Sequence, residues 1–206
     1  MRKVVLIILL TSSLVYSQSP TVQPASVPTR DAANVISFFG GDDNSYGDIS
    51  GVDFQVFWSQ PVPPWVAPDL AFNAAGNMVL KYTSFGYQGL DFSGNKQNVA
   101  GMEFLHIDIW TNSSSVDLTL LSAGSGDFAF NFSANQGFWT SVDIPLTHFA
   151  QNINLNLAEL NQMKFYNGNG DDIYIDNLYF WKPEVNSADD ATLKELQVDG
   201  ISVSAF

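Results

Sequence analysis

The sequence predicts an all-β fold, in which two antiparallel sheets pack into a β-sandwich of the jelly-roll type. Apolar and polar residues alternate with period two from residue 35 to residue 182, which is typical of strands buried on one side. Clusters of glycine, proline and asparagine interrupt this alternation about every 8 to 12 residues. The pattern contains no strand–helix–strand units, so a parallel sheet is disfavoured. A closed barrel of the same strands is the alternative architecture.

Ten segments show this alternation and are predicted as strands, bounded by turn residues such as Gly40-Gly41 and Gly124-Ser125-Gly126. In chain order they are Val35–Phe39, Val52–Trp58, Asn77–Tyr82, Tyr87–Phe92, Met102–Thr111, Val116–Ser122, Asp127–Phe132, Gly137–Ile144, Met163–Tyr166 and Ile173–Trp181. One short segment between them, Leu155–Gln162, has helical spacing. We therefore assign residues 35–183 to one domain, with the first and last strands close together.

The two ends of the chain are predicted to lie outside that domain. Residues 1–17 combine a basic start, an apolar run and a small-residue ending, which predicts a secretory signal peptide rather than a membrane anchor. Residues 18–34 are rich in Pro, Ser and Thr, which predicts an extended linker. Residues 184–206 carry a hairpin signal at Asp199-Gly200, and we interpret them as a linker and the start of a second β domain.

The charge balance excludes several classes of partner. The chain has 8 Lys and Arg residues against 21 Asp and Glu residues, a net charge of -13. Phosphate backbones and anionic lipid heads are bound by Lys and Arg clusters, so we expect neither nucleic acid nor a membrane as partner. The absence of cysteine excludes disulfides and thiolate metal sites. An exported, acidic, cysteine-free chain fits a secreted or cell-surface protein of a bacterium.

The strand Met102–Thr111 is the most informative one, because its two faces differ in chemistry. The aliphatic face belongs in the core and consists of Leu105, Ile107 and Ile109. The other face mixes aromatic, imidazole and carboxylate groups: Phe104, His106, Asp108 and Trp110. Two aromatic rings around a histidine and a carboxylate suggest a platform for a ligand. The alternative is a second small core beneath a loop, with the polar groups paired.

Aromatic residues, at 14% of the chain, suggest a neutral polysaccharide as the ligand. A sugar ring has an apolar C–H face and a polar rim, which match an indole or phenol ring beside amide and carboxylate groups. The predicted binding residues are Trp58, Tyr87, Gln88, His106, Asp108, Trp110 and Tyr166, and Trp65 and Tyr82 are further aromatic candidates. For any one of these aromatic side chains, a place in the core is the alternative.

A structural calcium ion is also predicted. Asp42 and Asp43 lie in a Gly/Asn loop after the first strand, and Asp176 interrupts the apolar last strand. Calcium takes oxygen ligands, and a carboxylate within a buried strand is costly unless it is paired. We expect the loop and Asp176 to share the ion, and either Asp42 or Asp43 could be the loop ligand. Hydrogen bonding of Asp176 to turn amides is the alternative.

The sequence offers no evident catalytic set, so we expect the chain not to be an enzyme. Only His106 and His148 could act as imidazole bases, and the motifs of serine hydrolases and zinc proteases are absent. Glycoside hydrolases use two facing carboxylates. The acidic pairs Asp42-Asp43 and Asp171-Asp172 lie in Gly/Asn turns instead, where turn or calcium chemistry is expected.

Six segments also carry a resemblance to a known family: Ile36–Asp42, Leu80–Tyr82, Tyr87–Gly89, Met102–Trp110, Trp139–Leu146 and Ile175–Phe180. On these segments the body resembles the carbohydrate-binding-module-like jelly rolls of secreted Bacteroidetes polysaccharide-degrading proteins, which accompany family-16-type β-glucanase domains. The resemblance implies a galactose-binding-like β-sandwich. The tail from Asp190 resembles the start of a cadherin-like or Ig-like β-sandwich.

Two functions follow as expectations. One is a monomeric, non-catalytic carbohydrate-binding module of a glycan-degrading protein, which binds a neutral polysaccharide such as β-glucan beside an appended catalytic or Ig-like domain. The other is a structural spacer or adhesion domain of a cell-surface protein, with no sugar site. Solvent-exposed aromatic rings on one face would favour the first function, and aromatic rings covered by loops would favour the second.

Overall fold

The computed structural model describes residues 19–26, 29–41, 46–56, 58, 66–84, 86–167 and 170–184. In these residues ten strands form two antiparallel sheets, which confirms the predicted β-sandwich. The strands are β1 (Val35–Phe39), β2 (Asp69–Ala74), β3 (Asn77–Tyr82), β4 (Tyr87–Asp91), β5 (Phe104–Thr111), β6 (Ser115–Leu121), β7 (Ala129–Ser133), β8 (Phe138–Pro145), β9 (Gln162–Tyr166) and β10 (Ile173–Trp181). A single turn of α-helix, α1 (Leu146–Phe149), follows β8, and no helix among the described residues has the length and apolarity to cross a bilayer.

The two sheets differ in their number of strands and in how those strands pair. The six-stranded sheet has the order β2-β3-β10-β5-β8, and β1 joins it by pairing with β10. The four-stranded sheet has the order β4-β9-β6-β7. β3 pairs with the start of β10, up to Ile175, and β1 pairs with its end, from Leu178. The first and last strands are therefore neighbours, as predicted, and Asp176 lies where β10 changes partner.

The core lies between the sheets and is built from the inward-facing half of each alternating strand. On β5 these residues are Leu105, Ile107 and Ile109, and on β6 and β9 they are Leu118, Leu120, Met163 and Phe165, all fully buried. Each such side chain contributes about 1.5–3 kcal/mol on burial. The other half of each strand faces outward, away from the partner sheet. The sandwich therefore has two outer faces, one on each sheet.

Three elements differ from the sequence prediction. β2 was not predicted, because it is an edge strand with mostly exposed residues and lacks a clear alternation. Residues 52–56 and 58 of the predicted strand Val52–Trp58 are described, and they form no regular strand; among them Asp53 forms a bridge with Asp91 on the edge of β4. The predicted helix Leu155–Gln162 is reduced to a 3-10 turn at Leu157–Glu159, because Leu160 leaves it to pair with Gln97.

The segment predicted as a linker lies on the six-stranded sheet. We call its described part, residues 19–26 and 29–34, the N-terminal strap. The indole Nε1 of Trp139 donates to the carbonyl of Val22 at 2.7 Å, and Arg30 stacks 3.3 Å from the ring centre of Trp181. Extended proline-rich chain has free carbonyl groups, which suit it to accept such bonds. The predicted signal peptide, residues 1–17, and the tail from residue 185 lie outside the described residues.

Candidate functional site

The outer face of the six-stranded sheet buries the side chains that were predicted to form a ligand platform. Trp110 is 2% exposed, His106 is 4% exposed and Asp108 is 1% exposed. β5 lies in the middle of this sheet, between β10 and β8, and the N-terminal strap contacts Trp139 on β8 and Trp181 on β10. His106, Asp108 and Trp110 therefore do not form an exposed platform, because side chains of the neighbouring strands pack against them.

Trp110 belongs to a second small core instead. Its ring packs edge-on against that of Tyr174, with 5.3 Å between the ring centroids, and both rings pack with Ala74 and Val79. Phe72 and Trp139 pack against this cluster from the edge strands β2 and β8. Edge-to-face ring pairs add stability beyond the area that they bury. This cluster matches the alternative stated for β5, a small core with aromatic members.

His106 lies between two carboxylates on the same covered face. Its Nδ1 is 2.8 Å from Asp143 Oδ1, and its Nε2 is 3.6 Å from Asp108 Oδ1, which is an ion-pair distance rather than a hydrogen bond. Burial would lower the pKa of His106, but the two carboxylates outweigh it and raise the pKa to about 9. Asp108 also accepts a 2.7 Å hydrogen bond from the Asn177 amide. The group is therefore a buried imidazolium–carboxylate cluster, in which Nδ1 of His106 is hydrogen-bonded and Nε2 has only the ion-pair contact with Asp108.

Two further predicted residues point inward. Gln88 is 5% exposed and pairs with Phe165, so it faces the partner sheet and does not form a rim around a ligand. Tyr82 is 3% exposed, and its hydroxyl donates to the carbonyl of Gly89 at 3.1 Å. Both corrections have the same cause, since alternate residues of a strand face opposite sides. Trp65 lies outside the described residues.

The outer face of the four-stranded sheet carries an open cleft. Strand pairing aligns Tyr87 with Tyr166, and Tyr166 with Asp117, in one row across β4, β9 and β6. The cleft has a volume of about 430 Å³, and it is lined by Tyr87, Asp117, Thr119, Asp127, Ala129, Lys164 and Tyr166. Tyr166 is 46% exposed. Two predicted aromatic residues, Tyr87 and Tyr166, are thus brought together on a face that solvent reaches.

The floor and the polar side of the cleft come from a second row. Lys164 pairs with Gly89 on one side and Thr119 on the other, and Thr119 pairs with Ala129. Gly89, Thr119 and Ala129 are small residues, so a hollow remains between the rings of Tyr87 and Tyr166 and the Lys164 ammonium group. Lys164 forms an ion pair with Asp127 at the far side of the cleft. The Asn131 amide donates to Asp117 at 2.6 Å.

Asp117, Thr119 and Lys164 were not predicted as site residues, although their sequence context carried a signal. They occupy the polar positions of the alternating segments around Val116–Leu121 and Met163–Tyr166. The alternation places them on the side opposite the core, which is the side of Tyr166. Strand order, which the sequence does not specify, was needed to bring β6, β9 and β4 next to one another.

Trp58 lies beside the cleft at the edge of β4. The Tyr87 hydroxyl donates to the carbonyl of Trp58 at 2.7 Å. A Cβ atom built on Gly89 would come within 2.9 Å of Cη2 of Trp58, so the indole rests on the bare backbone of Gly89. Gly89 faces the same side as Tyr87, two residues earlier on β4. Trp58, Tyr87 and Tyr166 are therefore three predicted residues that share one outer face.

Oxygen atoms converge around Asp176, which was predicted as a calcium ligand. Asp176 is fully buried and accepts from the Asn77 amide at 2.6 Å and from the Asn177 N–H at 2.8 Å. A Cβ atom on Gly41 (φ +60°) would lie within 3.0 Å of Asp176 Oδ1 and of Asn77 Oδ1, and closer still to the Met78 carbonyl. Carboxylate, amide and main-chain oxygens are the donors that calcium prefers.

The loop that would complete such a site follows Gly41. Asp42 and Asp43 lie outside the described residues, so their prediction as ligands stands as a prediction. Among the described residues, no group of three or more His, Asp and Glu side chains has a metal-binding arrangement. The convergence at Asp176 therefore rests on one carboxylate, one amide oxygen and one main-chain carbonyl.

Comparison with known proteins gives structural neighbours only. No protein-family model and no curated protein matches the chain. A solved variant of a family 29 carbohydrate-binding module has 17% identity and a TM-score of 0.45, over 71% of this chain and 90% of that chain. Another variant, in complex with mannohexaose, has 16% identity and a TM-score of 0.45, over 71% and 89%. The family 11 module of a Clostridium thermocellum cellulosomal cellulase has 15% identity and a TM-score of 0.43, over 58% and 83%.

Proposed function

We propose that the cleft on the four-stranded sheet binds a neutral polysaccharide, and that the domain is a non-catalytic carbohydrate-binding module. One observation carries this proposal: strand pairing places Tyr87, Tyr166 and Asp117 side by side on a solvent-accessible face. Two phenol rings provide apolar surface for the C–H face of a sugar, and the carboxylate and the neighbouring ammonium of Lys164 provide partners for its hydroxyl groups.

The charges around the cleft favour a neutral glycan over an acidic one. Asp117 and Asp127 face a single cation, Lys164, which is already paired with Asp127. The chain as a whole has a net charge of -13. A uronate-containing polysaccharide would therefore be repelled both by the protein and by the cleft. A neutral chain such as β-glucan meets no such repulsion.

The same contacts support binding without turnover. Asp117 accepts a hydrogen bond from Asn131, and Asp127 is paired with Lys164, so each carboxylate in the cleft has a structural partner. Glycoside hydrolysis needs one carboxyl group to act as acid and another to act as base or nucleophile. An open cleft leaves much of the ligand hydrated, so we expect weak binding at each site.

The setting in a longer secreted protein is part of the same proposal. It is supported by the predicted signal peptide at residues 1–17 and by the resemblance to modules of Bacteroidetes glycan-degrading proteins. In such a protein the domain would hold an appended catalytic domain, of the family-16 type, on its polymeric substrate. In this proposal the domain acts as a monomer.

Affinity electrophoresis against laminarin, mixed-linkage glucan, xylan, mannan and polygalacturonate tests the proposed function. We expect retardation by a neutral glucan, none by polygalacturonate, and loss of retardation in Tyr166→Ala. Phe138→Ala is the matched control, because Phe138 is an aromatic residue that is 67% exposed but lies on the other sheet. If no glycan retards the protein, the spacer or adhesion function replaces this proposal. If purified protein releases reducing ends, the non-catalytic part of the proposal is wrong.

We also propose that a structural calcium ion lies beside Asp176, with Asp42 or Asp43 as a further ligand. The proposal is supported by the three oxygens that converge near Gly41. We expect EDTA to lower the melting temperature of the wild-type protein and to leave that of Asp176→Asn unchanged. Asp91→Asn is the control, because Asp91 is a carboxylate at the end of β4 and away from these oxygens. An unchanged wild-type melting temperature at low calcium would contradict the proposal.

A further inference from the structure

Asp53 and Trp58 both contact β4, the edge strand of the four-stranded sheet. The backbone of Asp53 exchanges two hydrogen bonds with that of Asp91, at 2.8 and 2.9 Å. The buried hydroxyl of Tyr82 lies 3.3 Å from the carbonyl of Phe54, in addition to its bond to Gly89. The segment thus approaches the four-stranded sheet from one end of β4, and Trp58 is its last described residue before residue 66.

Two contacts then fix where Trp58 lies. The Tyr87 hydroxyl donates to the Trp58 carbonyl at 2.7 Å, and the indole rests on Gly89. A side chain at position 89 would displace the indole, and it would also clash with the carbonyl of Met163 on β9. Glycine at this position is therefore what allows the indole of Trp58 to approach the backbone of β4 closely.

Tyr87 and Tyr166 occupy paired positions but differ in the state of their hydroxyl groups. Tyr87 is half-buried, and its hydroxyl donates a hydrogen bond to the Trp58 carbonyl. Tyr166 is 46% exposed, and its hydroxyl makes no hydrogen bond to any described residue. The two tyrosines therefore offer similar rings to a ligand, whereas only the Tyr87 hydroxyl is engaged with the protein.

We infer that Tyr87 is a positioning residue, whose hydroxyl holds Trp58 so that the indole extends the aromatic surface of the cleft beyond β4. This inference rests on the proposed function and deepens it. Trp58 does not line the cleft itself, so a glycan chain that lies across the strands would pass from Tyr166 over Tyr87 to reach the indole. The glycan class stays the same, and Trp58 adds affinity for a longer chain.

A double-mutant cycle between Tyr87→Phe and Trp58→Ala tests the inference. Tyr87→Phe keeps the ring and removes only the hydroxyl, so we expect the affinity for the retarding glycan to fall about 3- to 10-fold, the size of one lost hydrogen bond. In the Trp58→Ala background the same substitution should have no further effect. Tyr166→Phe is the control, and its effect should be the same in both backgrounds. An equal loss from Tyr87→Phe with and without Trp58 would overturn the inference.

A measurement without ligand separates this inference from the proposed function. Acrylamide quenching of the Trp58 signal, obtained as the difference between the wild-type and the Trp58→Phe protein, should increase when Tyr87→Phe is introduced into both. Tyr166→Phe should leave that difference signal unchanged. If no glycan binds but the quenching increases, the proposed function fails and the positioning role stands. If the quenching is unchanged, the positioning role is wrong whatever the glycan assays show.

Discussion

The two outer faces of the sandwich use similar residue types and put them to opposite uses. On the six-stranded sheet, Trp110 and Asp108 are 2% and 1% exposed beneath side chains of the neighbouring strands. On the four-stranded sheet, Tyr166 is 46% exposed beside Asp117, at the rim of an open cleft. The presence of aromatic and carboxylate side chains on one side of a strand thus does not identify a binding face. Whether neighbouring side chains bury them decides whether they are available to a ligand or stabilise the fold.

Burial also changes what the charged groups must do. On the covered face His106 has carboxylates at 2.8 and 3.6 Å, because an unpaired charge there would cost several kcal/mol. On the open face Lys164 and Asp127 keep contact with solvent, and their side chains are 23% and 64% exposed. Changes on the covered face should therefore reduce stability, whereas changes on the open face should alter binding and leave stability nearly unchanged.

The largest expected effect comes from truncating one ring on each face. Trp110→Ala removes a fully buried indole from the cluster with Tyr174 and should lower the free energy of unfolding by about 3–5 kcal/mol. Tyr166→Ala should change it by less than about 1 kcal/mol, because the ring is largely exposed. Urea unfolding monitored by circular dichroism measures both. Similar losses in the two variants would remove the distinction between the faces.

The second prediction concerns the pH dependence that His106 gives to stability. Its pKa is about 9 in the folded protein against an ordinary value of 6.5, so the folded state binds the proton more tightly. The stabilisation is therefore complete below pH 6.5 and is lost as the pH rises through 9. A shift of this size corresponds to about 3 kcal/mol. Urea unfolding between pH 6 and pH 10 should show this loss.

His106→Gln is the control for this pH dependence. The glutamine keeps a polar side chain but cannot be protonated, so the stability of the variant should stay flat between pH 6.5 and 9. Tyr179, whose ring stacks on His106, does not confuse the measurement, because burial raises its pKa to about 12. A wild-type protein equally stable at pH 6.5 and 9 would show that the imidazole is not held as a cation.

Most strands were predictable from alternating apolar and polar residues, and β10, which is buried on both sides, from a short run of aliphatic and aromatic residues. β1, β3 and β10 coincide with their predicted bounds, Val35–Phe39, Asn77–Tyr82 and Ile173–Trp181. β2 was missed because both of its sides are largely exposed at the edge of the sheet. Local alternation therefore specifies a strand where burial differs between its two sides.

The state of each outer face was not predictable in the same way. Alternation showed that Phe104, His106, Asp108 and Trp110 share one side of β5, which is correct. It could not show that groups distant in the chain bury that side; the Asn177 amide that bonds to Asp108, for example, is 69 positions away. Tyr87 and Tyr166 were proposed one by one, and only the pairing of β4 with β9 places them side by side.

A third prediction tests whether the contact between Arg30 and Trp181 stabilises the fold and holds the strap on the six-stranded sheet. The Arg30 guanidinium stacks 3.3 Å from the centre of the Trp181 ring, a cation–π contact of about 1 kcal/mol. Arg30→Ala should lower stability by that amount and make the strap easier to cleave by a nonspecific protease. Arg30→Lys should have an intermediate effect, because the ammonium keeps the charge but lacks the planar stacking surface. Unchanged cleavage in Arg30→Ala would mean that the strap is held by other contacts.

The smallest effect is expected from the ion pair on the open face. Lys164 and Asp127 are joined across the polar side of the cleft, but Asp127 is 64% exposed, so water and salt screen the attraction. Asp127→Asn keeps the shape of the side chain and removes its charge. It should move the melting temperature by less than about 2 °C, with a smaller shift at 1 M than at 0.05 M NaCl. Glycan affinity should change more than stability, because the freed Lys164 ammonium becomes available to sugar hydroxyl groups. A fall in melting temperature comparable to that of a covered-face variant such as Arg30→Ala would show that the open face also holds the fold together.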